Sequence, residues 1–160
     1  MKKPFEKILK KVKWKEKSDL TFLRFCGILK ETQITVTHCK ETARMIKRKN
    51  EFRKEERTEM RGGTGTVRFE RVWDCGTELN SKTRLFSRLI LEPGVSIGTH
   101  VHENEEEVFL VLEGRAEVTD NGEKAILETG DSIVTRHGES HSVACYGETP
   151  LVLLAVILPY

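Results

Sequence analysis

The sequence predicts an all-β domain over residues 61–160, preceded by a basic, partly helical extension and linker over residues 1–60. Three observations carry this reading. Beyond residue 60, short apolar stretches alternate with Gly, Pro and Asn-Gly turn signals, and none has helical spacing. The charge divides sharply: residues 1–58 hold 18 Lys and Arg against 8 Asp and Glu, whereas residues 59–160 hold 9 against 17. A chain of 160 residues can also bury one sizeable core but hardly two. No stretch approaches the ~20 apolar residues that cross a bilayer, so no membrane role is expected.

The elements follow in chain order. Residues 2–17 carry eight lysines, and Phe5, Ile8, Leu9 and Val12 fall at the spacing of an amphipathic helix. Without helix-turn-helix or zinc-finger spacing, this charge run reads as a solvated helix, and nucleic-acid binding is not expected. Residues 45–60 are almost wholly polar and read as a linker or an exposed helix. A chain beginning at Met45 is expected to keep the β domain, with residues 1–44 peripheral to it. "RGGTGT" (61–66) lacks the Lys-Ser/Thr pair of a phosphate loop, and a strand-like segment follows it, so its glycines read as turn residues. Strands are expected at 67–73, 83–91, 107–113, 115–119, 123–128, 131–135, 141–145 and 150–158, with 92–98 as a Pro-Gly turn. Short strands at this density make a β-sandwich or barrel. Cys26, Cys39, Cys75 and Cys145 are scattered with no CxxC pair, which fits reduced thiols and a cytoplasmic protein.

The chemistry concentrates in "GTHVHENEEEVFLVLEG" (98–114). His100 and His102 are two apart, so on a strand they share a face. Glu107 has the opposite parity and joins them only if "ENEE" (103–106) turns the chain. Past that turn Glu107 shares a face with Phe109 and Val111, where a carboxylate needs a partner or a metal. His141 opens a later strand and is the fourth candidate. Three imidazoles and one carboxylate suit a divalent transition metal with positions left open for a ligand. Glu103, Glu105 and Glu106 read as solvated turn residues or as partners behind the ligands, His137 as exposed, and His38 beside Cys39 as structural or surface. Cys145 shares strand parity with His141, which makes it a small interior thiol. Phe86 and Arg88 share one face of the 83–91 strand and are candidates for lining the pocket, together with Phe109 and Cys145, with a surface ion pair as the alternative for Arg88.

This spacing resembles the first motif of the cupin family, G(X)5HXH(X)3-4E(X)6G, at Gly94, His100, His102, Glu107 and Gly114. The second motif, G(X)5PXG(X)2H(X)3N, is met at Gly130, Gly138 and His141, with Arg136 in place of proline and Cys145 in place of asparagine. The resemblance implies a double-stranded β-helix, the cupin jelly-roll barrel, with His100, His102, Glu107 and His141 as ligands of an internal metal. Manganese is the first choice, with iron, zinc, nickel or cobalt as alternatives.

Within that family the chain looks most like proteins labelled oxalate-decarboxylase-like, which implies a small carboxylate as ligand and a homodimer as assembly. A ligand-sensing module and a sugar isomerase or epimerase are the alternatives, because the fold alone does not choose a reaction. In oxalate decarboxylases an arginine stands three residues before the first ligand histidine. Ile97 occupies that position here. Binding of the carboxylate is therefore expected without efficient decarboxylation.

Overall fold

A computed structural model describes residues 46–160. The expected N-terminal amphipathic helix and the His38–Cys39 pair lie outside the described residues. Two antiparallel sheets form a jelly-roll barrel. The larger contains β1 (Arg53–Thr58), β2 (Thr66–Arg71), β3 (Leu85–Leu91), β5 (Glu105–Glu113), β8 (Ser132–Thr135) and β10 (Leu151–Pro159), in the order β1-β2-β3-β10-β5-β8. The smaller runs β4-β9-β6-β7, from β4 (Ser96–Val101), β9 (Ser140–Cys145), β6 (Ala116–Asp120) and β7 (Glu123–Leu127). Among the described residues no helix is long and apolar enough to cross a membrane.

Period-two alternation builds the core. Leu85, Ser87, Leu89 and Leu91 on β3 point inward, as do Phe109 and Val111 on β5 and Leu151, Leu153, Ala155 and Ile157 on β10. Ile97, Val118 and Val143 of the smaller sheet close the core from the other side. One end of this interior is apolar throughout. The other receives Glu107 and His141 on the same inward faces, so the sheets position the site and the core together.

Residues 45–60 depart from their sequence reading. They contain β1, which pairs residue for residue with β2, from Arg53↔Arg71 to Thr58↔Thr66. The expected linker or exposed helix is therefore corrected to an edge strand. "RKEERT" carries no apolar residue, so it shows no alternation to detect. Main-chain pairing and ion pairs hold it to the sheet instead. Glu55 accepts from Arg71 at 2.7 Å and from Arg57 at 2.8 Å, and the Arg57 guanidinium lies 4.7 Å from the Phe69 ring centre.

The expected turn at 92–98 is also shorter than read. Val95 N–H donates to the Glu92 carbonyl to close it, and β4 begins at Ser96. Glycine is required within β4: a Cβ on Gly98 would meet the Arg61 carbonyl oxygen at 2.1 Å, where the Met60–Gly62 turn lies against the strand. A register shift between Ile97 and His100 then sets His100 opposite His141.

Candidate metal centre

Three strands deliver four side chains to one point. His100 comes from β4, Glu107 from β5 and His141 from β9, while His102 follows β4, where its N–H donates to the Glu139 carbonyl at 3.2 Å. The turn needed to bring Glu107 round occupies only Glu103 and Asn104, with Asn104 left-handed at φ 57°, and β5 starts at Glu105. His102, Glu107 and His141 are 3%, 4% and 1% exposed, far too buried for solvated polar groups.

The four ligand atoms all lie within 4.8 Å of one another. His141 Nε2 is 3.1 Å from the Nε2 atoms of both His102 and His100. Glu107 Oε2 is 3.1 Å from His102 Nε2, 3.2 Å from His141 Nε2 and 3.9 Å from His100 Nε2. With metal–ligand bonds of about 2.0–2.2 Å, two donors at right angles around one ion stand about 3 Å apart. The observed spacing fits that requirement.

The outer hydrogen bonds fix which nitrogen faces inward. His100 Nδ1 donates to the Gly98 carbonyl at 2.9 Å, and His102 Nδ1 donates to Glu105 Oε1 at 3.0 Å. Both acceptors lack a proton, so each Nδ1 carries the hydrogen and each neutral ring turns its Nε2 lone pair to the centre. Phe109 stacks on the His141 ring at 5.0 Å and 14°. Lone pairs converging at 3.1 Å repel one another unless a cation stands between them. The donor set therefore fits a divalent metal.

The electrostatics pull the two histidines in opposite directions. Burial pushes the His100 pKa down, which favours the neutral ligating form. His102 is raised, chiefly by the adjacent Glu107 carboxylate. Burial acts to raise Glu107, but hydrogen bonds from His102 and His141 outweigh it and hold the carboxyl below its ordinary value. A proton shared between His102 and Glu107 thus competes with the metal for the same lone pairs.

Of the side chains expected around the pocket, Phe109 lines the cavity, but Phe86, Arg88 and Cys145 do not. Phe86 and Arg88 occupy the outward face of β3, where Arg88 pairs with Glu70 at 2.7 Å and with Glu113 at 3.6 Å. The 83–91 segment is apolar on both parities, so its inward face could not be read from pattern. Cys145 has the expected parity but lies four residues along β9 from His141, about 13 Å away at strand rise. Its Sγ donates to the Thr149 carbonyl at 3.2 Å.

Of the two readings open for Glu105, a solvated turn residue or a partner behind a ligand, the structure shows the second. Glu105 holds His102 on one side and Arg84 on the other, with Arg84 Nε donating to Oε2 at 2.6 Å. Its signal was parity with Glu107. The sequence reading missed the arginines Arg57, Arg61, Arg71 and Arg84, which line the cavity beside the histidines.

Comparisons with known proteins give the same frame. A cupin-domain family model matches residues 87–157. An oxalate-binding protein from Thermotoga maritima is 40% identical over 119 residues, covering 74% of this chain and 98% of that protein. The crystal structure of a predicted oxalate decarboxylase from Thermotoga maritima superposes with a TM-score of 0.68 at 40% identity, over 72% of this chain and all of the other. A cupin 2 conserved barrel domain protein from Salinispora arenicola matches with a TM-score of 0.50 at 28% identity, over 57% of this chain and 75% of its own. Barrel topology, ligand spacing and sequence identity converge, and the chain belongs to the cupin family.

Proposed function

We propose that this protein holds one divalent metal, manganese by first choice, through His100, His102, Glu107 and His141. It binds a small dicarboxylate such as oxalate at that metal and acts as a homodimer in the cytoplasm. The observation that carries this reading is the convergence of three imidazole lone pairs and a buried carboxylate beneath a cavity with four guanidinium groups on its wall. An anion is the ligand such a wall favours, and the relative from Thermotoga maritima is an oxalate-binding protein. When bound, the metal supplies Lewis acidity to a coordinated carboxylate oxygen.

Binding rather than turnover is the reading the cavity supports. Among the described residues Glu107 is the one carboxylate on its wall, and as a ligand it leaves no other described carboxylate there to act as general acid or base. Ile97, at the family's arginine position, is fully buried and lines the same wall. Elemental analysis of protein purified without chelators, followed by calorimetric titration with oxalate, tests the proposal. About one metal per chain and saturable oxalate binding are expected. His102→Ala and His141→Ala should each lose most of the metal while the barrel still folds. Sustained carbon dioxide or formate release at pH 4–6 would instead establish an enzyme.

A further inference from the structure

The cavity above the metal ligands holds about 170 Å³. At ~30 Å³ per water-sized group, that is room for about six such groups, which suits an ion of a few atoms. The charges around it are unequally matched. Glu55 holds Arg57 and Arg71 at 2.8 and 2.7 Å, and Glu105 holds Arg84 through both carboxylate oxygens. The Arg61 side chain has no hydrogen-bond or ion-pair partner among the described residues. Among the described residues, and with Arg53 balanced by Asp74, the four guanidinium groups stand against Glu55, Glu105 and Glu107, leaving one positive charge. A divalent metal raises it to three. A monocarboxylate leaves two of these uncompensated, and a dicarboxylate leaves one.

Two further observations single out this wall. Arg61 is left-handed at φ 56°, ψ 29°, a conformation in which glycine is comfortable and a long side chain is not. Gly62 and Gly63 beside it show that the turn itself admits glycine. Strain of this kind persists where the surroundings enforce it, and it gathers at ligand clamps. The enforcement here comes from Gly98, against which the Arg61 carbonyl is seated. The Nε of Arg71, on the same wall, is the one buried side-chain nitrogen or oxygen without a hydrogen-bond partner among the described residues.

We propose that Arg61 is the specificity residue of this site: its guanidinium receives the carboxylate that the metal does not hold, so small dicarboxylates are selected over monocarboxylates. This rests on the reading above that a carboxylate binds at the metal, and the experiment separates the two. Manganese-loaded wild type, Arg61→Gly and Arg61→Lys are titrated with oxalate and with acetate, and the metal content and melting temperature of each are measured. Glycine removes the guanidinium while relaxing the backbone, so the variant keeps or raises its melting temperature. Its oxalate affinity should fall by about ten- to a hundredfold, the loss expected for a charge-assisted pair. Acetate affinity and metal content stay at the wild-type level, and lysine restores part of the oxalate affinity.

Wild-type oxalate affinity in Arg61→Gly at full metal content would overturn the role of Arg61 and leave carboxylate binding at the metal standing. Equal losses for oxalate and acetate would overturn the selectivity. Failure of the metal-loaded wild type to bind either anion would overturn the underlying reading itself.

Discussion

Glu105 is not one of the four clustered side chains, yet it holds one of them. Its Oε1 accepts from His102 Nδ1, while its carboxylate is held by Arg84, whose guanidinium is the main cause of its lowered pKa. Arg84, Glu105 and His102 thus form a line that ends at the candidate metal centre, and it fixes the tautomer and the ring plane of His102. Partners of this kind typically change metal affinity by about ten- to a hundredfold. Glu105→Gln should therefore weaken manganese binding by that order in a competitive chelator titration. Unchanged affinity would show that the backbone alone orients His102. The clustering of the four side chains was legible in the sequence because spacing and parity are geometric: two histidines two apart, then a glutamate that needs a turn. Composition left Glu105 undecided between solvent and a place behind the ligands. It stands in a run of acidic residues that looks solvated, and only the shortness of the turn places it on β5.

β1 shows why an element can be present without a pattern. Its odd positions, Arg53, Glu55 and Arg57, stand opposite Arg71, Phe69 and Val67 of β2, and of these Arg57, Phe69 and Arg71 line the cavity. Facing a polar cavity rather than the core, this strand has no reason to carry apolar residues. Apolar content signals burial, so it reports β3, β5 and β10 and passes over β1. The same ion pairs that hold the strand make it sensitive to acid. Hydrogen bonding from Arg71 is the largest cause lowering the Glu55 pKa from 4.5 to about 2. A carboxyl depressed in the folded state stabilises above its unfolded value and loses that contribution as pH falls through the folded one. Wild type should therefore melt above Glu55→Gln by a constant margin from about pH 5 upward, with the gap closing between 4.5 and about 2. A margin that stays constant down to pH 2 in thermal melts would show that the Glu55 pairs do not survive in solution.

At the scale of the whole molecule, the outward side of the larger sheet points to a second copy of the chain. β10 runs through its middle between β3 and β5, and it is apolar on both faces. On the outward face Val156 stands between Phe86 and Val108, and Leu154 between Arg88 and Leu110. These apolar side chains are half-buried, and Leu158 at the end of the row is 38% exposed. A contiguous apolar patch is what a stable partner covers, at about 800 Å² per side for an interface of standard size. Arg88, read from sequence as a pocket residue, fits this face better, since its pairing with Glu70 lets a charge sit within an apolar surface. The expected mass in solution is twice the 18.4 kDa of the chain. A glutamate at position 156 would place an unpaired carboxylate in the middle of that interface, a cost large enough to separate the copies. Val156 points away from the ligands, so Val156→Glu should run as a monomer by light scattering at micromolar concentration while keeping its metal. Wild type that is already monomeric under those conditions would remove the dimer and leave the metal centre untouched.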